Sequence, residues 1–155
     1  MTRWTPNTTV ATLVFDQGRF LLVEELDRLD GRDHPVLNQP AGHLEADESL
    51  VQAACRETLE ETGWQVTITG YLGLYINQAP NQVIYHRHAF IAKPERHDPD
   101  WPLDEGILGC HWMSLEELES AERQNRLRSA MVLPACRDFL AGTRFPLSVI
   151  QDFRF

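Results

Sequence analysis

The sequence predicts an α/β fold in which a mixed β-sheet carries packed helices. Three observations carry that expectation. T-T-V-A-T-L-V-F (8 to 15) and F-L-L-V-E-E (20 to 25) are apolar, largely β-branched runs that read as strands. Residues 48 to 62 have helical composition between a capping residue and a glycine. Further strand-like runs then alternate with two more helical segments, a pattern of mixed layers rather than of a bundle or a sandwich of sheets. The 155 residues suit one compact domain over 1–155, and a chain of this size buries roughly 70% of its unfolded surface without disulfides or metal staples.

Taken in order, Asp16-Gln17-Gly18-Arg19 is a turn signal that joins the first two strands into a hairpin. Asp27 to Pro35 is polar and predicts a loop, and Leu37-Asn38-Gln39-Pro40 a short extended piece ending at the proline. Asp47 is the expected N-cap of the first helix, and Gly63 its left-handed terminator. Tyr71 to Ile76 and Val83 to Ala92 predict two strands joined by the turn-rich N-Q-A-P-N-Q. Lys93 to Gly109 contains Pro94, Pro99 and Pro102 and predicts an irregular loop, followed by a short strand at Cys110 to Met113. Ser114 with Glu117 has the capping-box spacing that starts a helix. A last helix is expected over Val132 to Leu140, stopping at Gly142, because Pro134 opposes a start as early as Ser129.

Composition narrows the function. The net charge of −9 disfavours nucleic acid polymers and anionic membranes. It leaves room for a small phosphorylated ligand, since divalent cations invert a local field. No apolar run approaches the roughly 20 residues of a membrane span, and M-T-R-W-T-P-N-T-T-V contains no apolar signal segment. The cysteines are three, Cys55, Cys110 and Cys136, with no C-x-x-C pair, which fits a reducing cytoplasm.

One stretch asks for a special explanation. R-E-T-L-E-E places Glu57, Glu60 and Glu61 within five positions near the end of the first helix. At 100° per residue they share a sector with Ala53 and Ala54, while Val51, Cys55, Thr58, Leu59 and Thr62 form an apolar face fit to pack. Like charges three and four residues apart repel, and negative charge at a helix C-terminus opposes the macrodipole. Taken alone, E-x-x-E-E reads as a solvated acidic face. If a cation compensates it, oxygen ligands without Cys or His suit a hard ion, Mg²⁺ or Mn²⁺.

The stretch is not alone. Gly42, five residues, Glu48, seven residues, Arg56-Glu57, two residues, Glu60-Glu61, one residue and Gly63 together resemble the Nudix box, the signature of Nudix hydrolases. Thr58 departs from it, where the family usually has an aliphatic residue. The flanking L-N-Q-P-A-G-H-L-E-A-D-E, L-R-S (127 to 129) and F-P-L-S-V-I-Q-D-F resemble the NudJ-type phosphatases, a branch acting on nucleoside di- and triphosphates and on hydroxymethylpyrimidine diphosphate.

The resemblance implies a Nudix α/β/α sandwich with the box as loop–helix–loop. It implies that Glu57, Glu60 and Glu61 ligate Mg²⁺ (or Mn²⁺), joined by a carbonyl near Ala41 or Gly42. Glu48 and Arg56 match a pair that ties the loop to the helix, although Arg56 on a phosphate is an alternative. The general base is a box glutamate or an acid in P-L-D-E-G-I-L-G-C-H-W, with Glu105 preferred over Asp104.

By strand alternation Tyr85, Arg87 and Ala89 share one face, and His86 and His88 the other. Arg87 is the expected phosphate clamp, with a solvent-facing arginine as the alternative. Gln39 and Asn38 are expected to contact substrate, or else to cap backbone. His86 and His88 read as structural, His43 lies at a position the family leaves free, and Trp101 is the one tryptophan placed to stack a base.

The expected function is Mg²⁺-dependent release of orthophosphate from nucleoside tri- and diphosphates by a cytoplasmic monomer or homodimer. Two rivals stand beside it: a selective housecleaning nucleotide or nucleotide-sugar pyrophosphatase, and a Nudix-fold binding module that has lost catalysis. The last would lack box acids, and here all are present.

Overall fold

The computed structural model describes residues 1–26 and 34–154. The polar stretch expected as a loop lies outside the described residues over 27–33. The hairpin forms as the sequence implies: β1 (Asn7–Asp16) turns through Gln17 and Gly18, at φ 49° and 78°, into β2 (Arg19–Glu25). Two successive positive φ values make this a type I′ turn, whose twist matches that of the strands it joins.

The hairpin then opens. β1 and β2 pair at Phe15–Phe20 and Asp16–Arg19 and afterwards take different partners. β1 pairs antiparallel with β4 (Ala41–His43) and parallel with β6 (Ile84–His97). β2 pairs antiparallel with β3 (Val36–Asn38) and with β7 (Ile107–Met113). β5 (Trp64–Gln78) joins the outer edge of β6, giving a seven-stranded mixed sheet with the path β3-β2-β1-β6-β5.

Both faces of that sheet are covered. Alternate residues of β1 point opposite ways: Val10, with Phe90 of β6, packs on Ala53 and Ala54 of α1 (Leu50–Thr62). Leu13 and Ile91 pack instead with Leu118 of α2 (Leu115–Arg123) and with Val132, Leu133 and Cys136 of α3 (Val132–Leu140). The central strand is therefore buried through Val10–Val14, as a two-faced strand must be. The tail returns beside β5: Phe145 bridges Tyr71, and Leu147 and Ile150 join the Val10 cluster. No helix among the described residues is long and apolar enough to cross a membrane.

Several boundaries differ from expectation. α1 is capped by Ser49, not Asp47: Ser49 Oγ accepts the Gln52 N–H, and the Gln52 side chain accepts the Ser49 N–H. Glutamine completes the capping box as glutamate would. The two long strands run seven residues earlier and five residues later than expected, because β5 and β6 continue as a twisted ribbon past the core. Pro94 does not break that ribbon. β6 has already left β1 there, since the parallel register ends at Val14–Ala92, and Pro94 sits opposite Val66 at a bulge. The irregular loop shrinks accordingly to 98–106.

Candidate active site

α1 delivers its acids to the protein, not to solvent. Glu57 and Glu61 are 8% and 7% exposed, which corrects the expectation that only the apolar face packs. They are drawn in because the strand before the helix lies against them. Glu61 Oε2 accepts the Ala41 N–H at 3.0 Å. Gly42 leaves room for the Glu57 carboxylate, which a side-chain carbon on Gly42 would meet at 2.1 Å. Glycine stands here for space. Thr58, on the packing side, is fully buried and donates to the Ala54 carbonyl at 2.7 Å, so its hydroxyl is satisfied within the helix.

The loop–helix corner is held by Arg56. Its Nε and Nη2 reach the two Glu48 oxygens at 2.9 and 2.6 Å, and Nη2 also donates to the His43 carbonyl at 3.0 Å. Nη1 donates to Glu57 at 2.8 Å and Glu60 at 3.1 Å. Glu48 in turn accepts the Glu45 N–H. These bonds set the expected tie between loop and helix. The Arg56 side-chain bond, first of all, holds Glu48 below the usual carboxylate range. Further out, Arg154 donates to the Ala46 and Glu48 carbonyls, pinning the tail on the same loop.

The far end of α1 meets the 98–106 loop. Gly63 is left-handed at φ 73° and donates to the Leu59 carbonyl, and a side-chain carbon there would meet the Asp98 carbonyl at 2.5 Å. Asp98 donates back to Gly63, and Asp104 donates its N–H to the Glu60 carbonyl at 3.1 Å. Asp104 is thereby set over the helix. Carboxylate oxygens of Glu57, Glu60 and Asp104 lie within 4.8 Å of one another. Glu105, the preferred base from sequence, is exposed and outside this group, which takes in its neighbour Asp104. Trp101 packs by Gly63 rather than in the cleft described below.

Burial raises the Glu57 carboxyl, and it raises Glu61 to about 9, with Glu25, Glu57 and Asp104 adding repulsion and the Ala41 N–H opposing it. The grouped acids, Glu57 buried, Glu60 half-buried and Asp104 exposed, form an all-oxygen donor set that fits a hard divalent ion and not a thiophilic one, while Glu61, an expected ligand, lies outside that group.

Beside the acids, where β1 and β2 part, lies a cleft of about 450 Å³. Its lining includes Thr9, Asn38, Gly42, Arg87, Arg128 and Ser129. Arg87 faces it as alternation implies, and is buried at 8% exposure, which excludes the solvent-facing alternative. Gln39 does not line it: 1% exposed, its amide donates to the Val132 carbonyl at 2.8 Å and its oxygen accepts from Arg87 at 3.5 Å. It therefore holds Arg87 rather than reaching into the cleft. Asn38 also accepts from Arg87, at 3.3 Å. His88 is structural, its ring bonded to the Tyr71 hydroxyl at 2.9 Å, and His86 meets Trp4 edge-on. Sequence reasoning missed Thr9, Glu25, Arg128 and Ser129 as lining. For Arg128 and Ser129 the L-R-S stretch is the one signal: Leu37 and Leu127 form a bridge that sets Arg128 beside β3.

The NUDIX domain family matches residues 5–136. Phosphatase NudJ of Escherichia coli strain K12 and that of Shigella flexneri are each 40% identical over 150 residues, spanning 97% of this chain and 94% of theirs. A NUDIX hydrolase from Nitrosomonas europaea superposes with a TM-score of 0.90 at 38% identity, covering 96% of this chain and 98% of its own.

Proposed function

This chain belongs to the NUDIX family and is a Nudix hydrolase, and from that premise we propose that it hydrolyses the phosphoanhydride of nucleoside tri- and diphosphates with Mg²⁺, releasing orthophosphate. The observation that carries the reading is the grouping of Glu57, Glu60 and Asp104 oxygens, with the Glu57 carboxylate against Gly42 of the cleft that Arg87 lines. The name of the NudJ phosphatases supports the product, and hydroxymethylpyrimidine diphosphate belongs to the same substrate class.

Glu57, Glu60 and Glu61, with the Gly42 carbonyl, are the proposed ligands. A divalent cation bound there supplies charge neutralisation on the phosphates and acidifies water. The chain does the rest. Arg56, locked by Glu48, keeps Glu57 and Glu60 in place. Water attacks phosphorus, the P–O anhydride bond breaks, and the departing group keeps the bridging oxygen. Asp104, with Glu105 as the alternative, takes the proton of the attacking water. Arg87 binds phosphate oxygens. Three free thiols, one buried and two half-buried, support work in the cytoplasm.

The test is phosphate release with Mg²⁺ from ATP, GTP, CTP, their diphosphates, ADP-ribose, a sugar nucleotide and hydroxymethylpyrimidine diphosphate, with and without inorganic pyrophosphatase. Orthophosphate without the helper across the nucleotides is the expected result. Release only with the helper makes pyrophosphate the product and favours the selective pyrophosphatase. No release from any of them removes the reading.

A further inference from the structure

The closed end of the cleft is a floor of donors. Thr9 and Arg87 are lateral partners in the parallel β1–β6 ladder, and both line the cleft. They are 7% and 8% exposed, yet Thr9 Oγ1 and Arg87 Nε have no hydrogen-bond partner among the described residues. The bonds Arg87 does make, through Nη1 to the amide oxygens of Asn38 and Gln39, are long at 3.3 and 3.5 Å and bring no charge. The acid of the lining, Glu25, is paired with Arg128 at 3.3 Å. Counting Glu25 against Arg87 and Arg128, the described lining keeps one positive charge in excess.

Glu25 and Glu61 act on the Arg87 charge from a distance, but a buried guanidinium N–H without an acceptor, beside a buried hydroxyl without a partner, is costly to keep. Both costs vanish if an anion with several acceptor oxygens completes the site. A neutral base offers one or two acceptors and leaves the charge uncompensated, whereas a phosphoryl terminus meets both demands. Burial draws the Arg87 guanidinium down to about 10, so it remains a cation at neutral pH. The other wall of the cleft is Gly42, against which the Glu57 carboxylate lies.

We propose that the Thr9–Arg87 floor is a subsite for the terminal phosphate of the substrate, so that this chain selects a free phosphate end rather than a particular base. The anhydride then lies along the Gly42 wall beside the carboxylates, and the nucleoside lies towards Asn77–Asn81 at the mouth. The proposal rests on the phosphoanhydride reading and fixes the direction of the substrate within it.

The experiment is calorimetric binding, with Ca²⁺ in place of Mg²⁺, of ADP, its β-methyl ester, CDP and GDP to the wild-type chain, Arg87→Met and Thr9→Val. The wild type should prefer ADP to its ester by about tenfold or more, and hold the three diphosphates within about threefold. Arg87→Met should shrink the preference below about twofold, and Thr9→Val, which removes only an unpartnered hydroxyl, should weaken ADP by about threefold with an unmoved melting temperature. Equal binding of ADP and ester, a preference that survives Arg87→Met, or a larger effect of base than of blocking overturns the proposal. Because binding is read without turnover, a chain that binds so yet hydrolyses nothing keeps the subsite and loses the hydrolase reading.

Discussion

Glu48 and Glu61 stand at opposite ends of the same loop–helix unit, expose similarly little surface at 9% and 7%, and meet opposite electrostatic fates because Glu61 is the more deeply desolvated. Glu48 receives a two-pronged bond from Arg56 and a backbone N–H, and its carboxyl is held low. At Glu61 burial dominates: one backbone N–H opposes it, Glu25, Glu57 and Asp104 add repulsion, and the carboxyl is pushed up to about 9. Low surface exposure alone therefore does not separate an acid paired within the fold from one proposed as a metal ligand. Compensation does: the first is complete within the fold, and the second asks for a cation from outside.

The largest test of this contrast is Glu61→Gln. We expect kcat/KM to fall about a thousandfold, several kcal/mol of transition-state stabilisation, while the metal-free protein melts no lower than wild type. Steady-state kinetics and thermal melts in EDTA check both halves. Next comes Arg56→Ala, which strands Glu48 without its partner. A loss of about 3–5 kcal/mol in urea unfolding is expected, with Arg56→Lys recovering part because a single ammonium cannot reproduce the fork.

The pH dependence sharpens the contrast further. Glu61 holds its proton more tightly folded than unfolded, between the ordinary 4.5 and about 9. The native state binds more protons across that window, so Glu61 costs metal-free stability progressively as pH rises through it. Glu48 has the other sign: its lowered carboxyl adds stability above 4.5 that is lost as pH falls through its folded value. Urea midpoints in EDTA should decline from about pH 5 to about pH 9, and the decline should flatten in Glu61→Gln. A wild-type midpoint that climbs over this range contradicts the assignment. The smallest effect belongs to Gly42→Ala. It crowds the flexible end of Glu57, so we expect activity to fall about 10- to 100-fold with stability changed by about 1 kcal/mol or less.

Much of this was legible in the chain. The box spacing singled out Glu57 and Glu60, which the structure groups with Asp104 rather than with Glu61, and alternation put Arg87 on the cleft face, because helix and strand periods fix direction from local sequence. What was not legible depends on distant contacts. Whether Asp104 or Glu105 turns towards the helix is decided by the Asp104 N–H bonding the Glu60 carbonyl, across 44 residues. That the carboxylate face would be buried needed the position of β4, a three-residue strand too short to show a period. The lengths of β5 and β6 were hidden because Pro94 reads as a breaker until the bulge that accommodates it is seen.

The central claim is that the glutamate face of α1 is completed by a divalent cation, with Glu61 part of its site. The direct measurement is the melting temperature at about pH 8 in EDTA and in saturating Mg²⁺, for wild type and Glu61→Gln. Binding to the native state alone should raise the wild-type midpoint by several degrees and leave the variant nearly unmoved. An equal shift in both proteins, or none in the wild type, would contradict it.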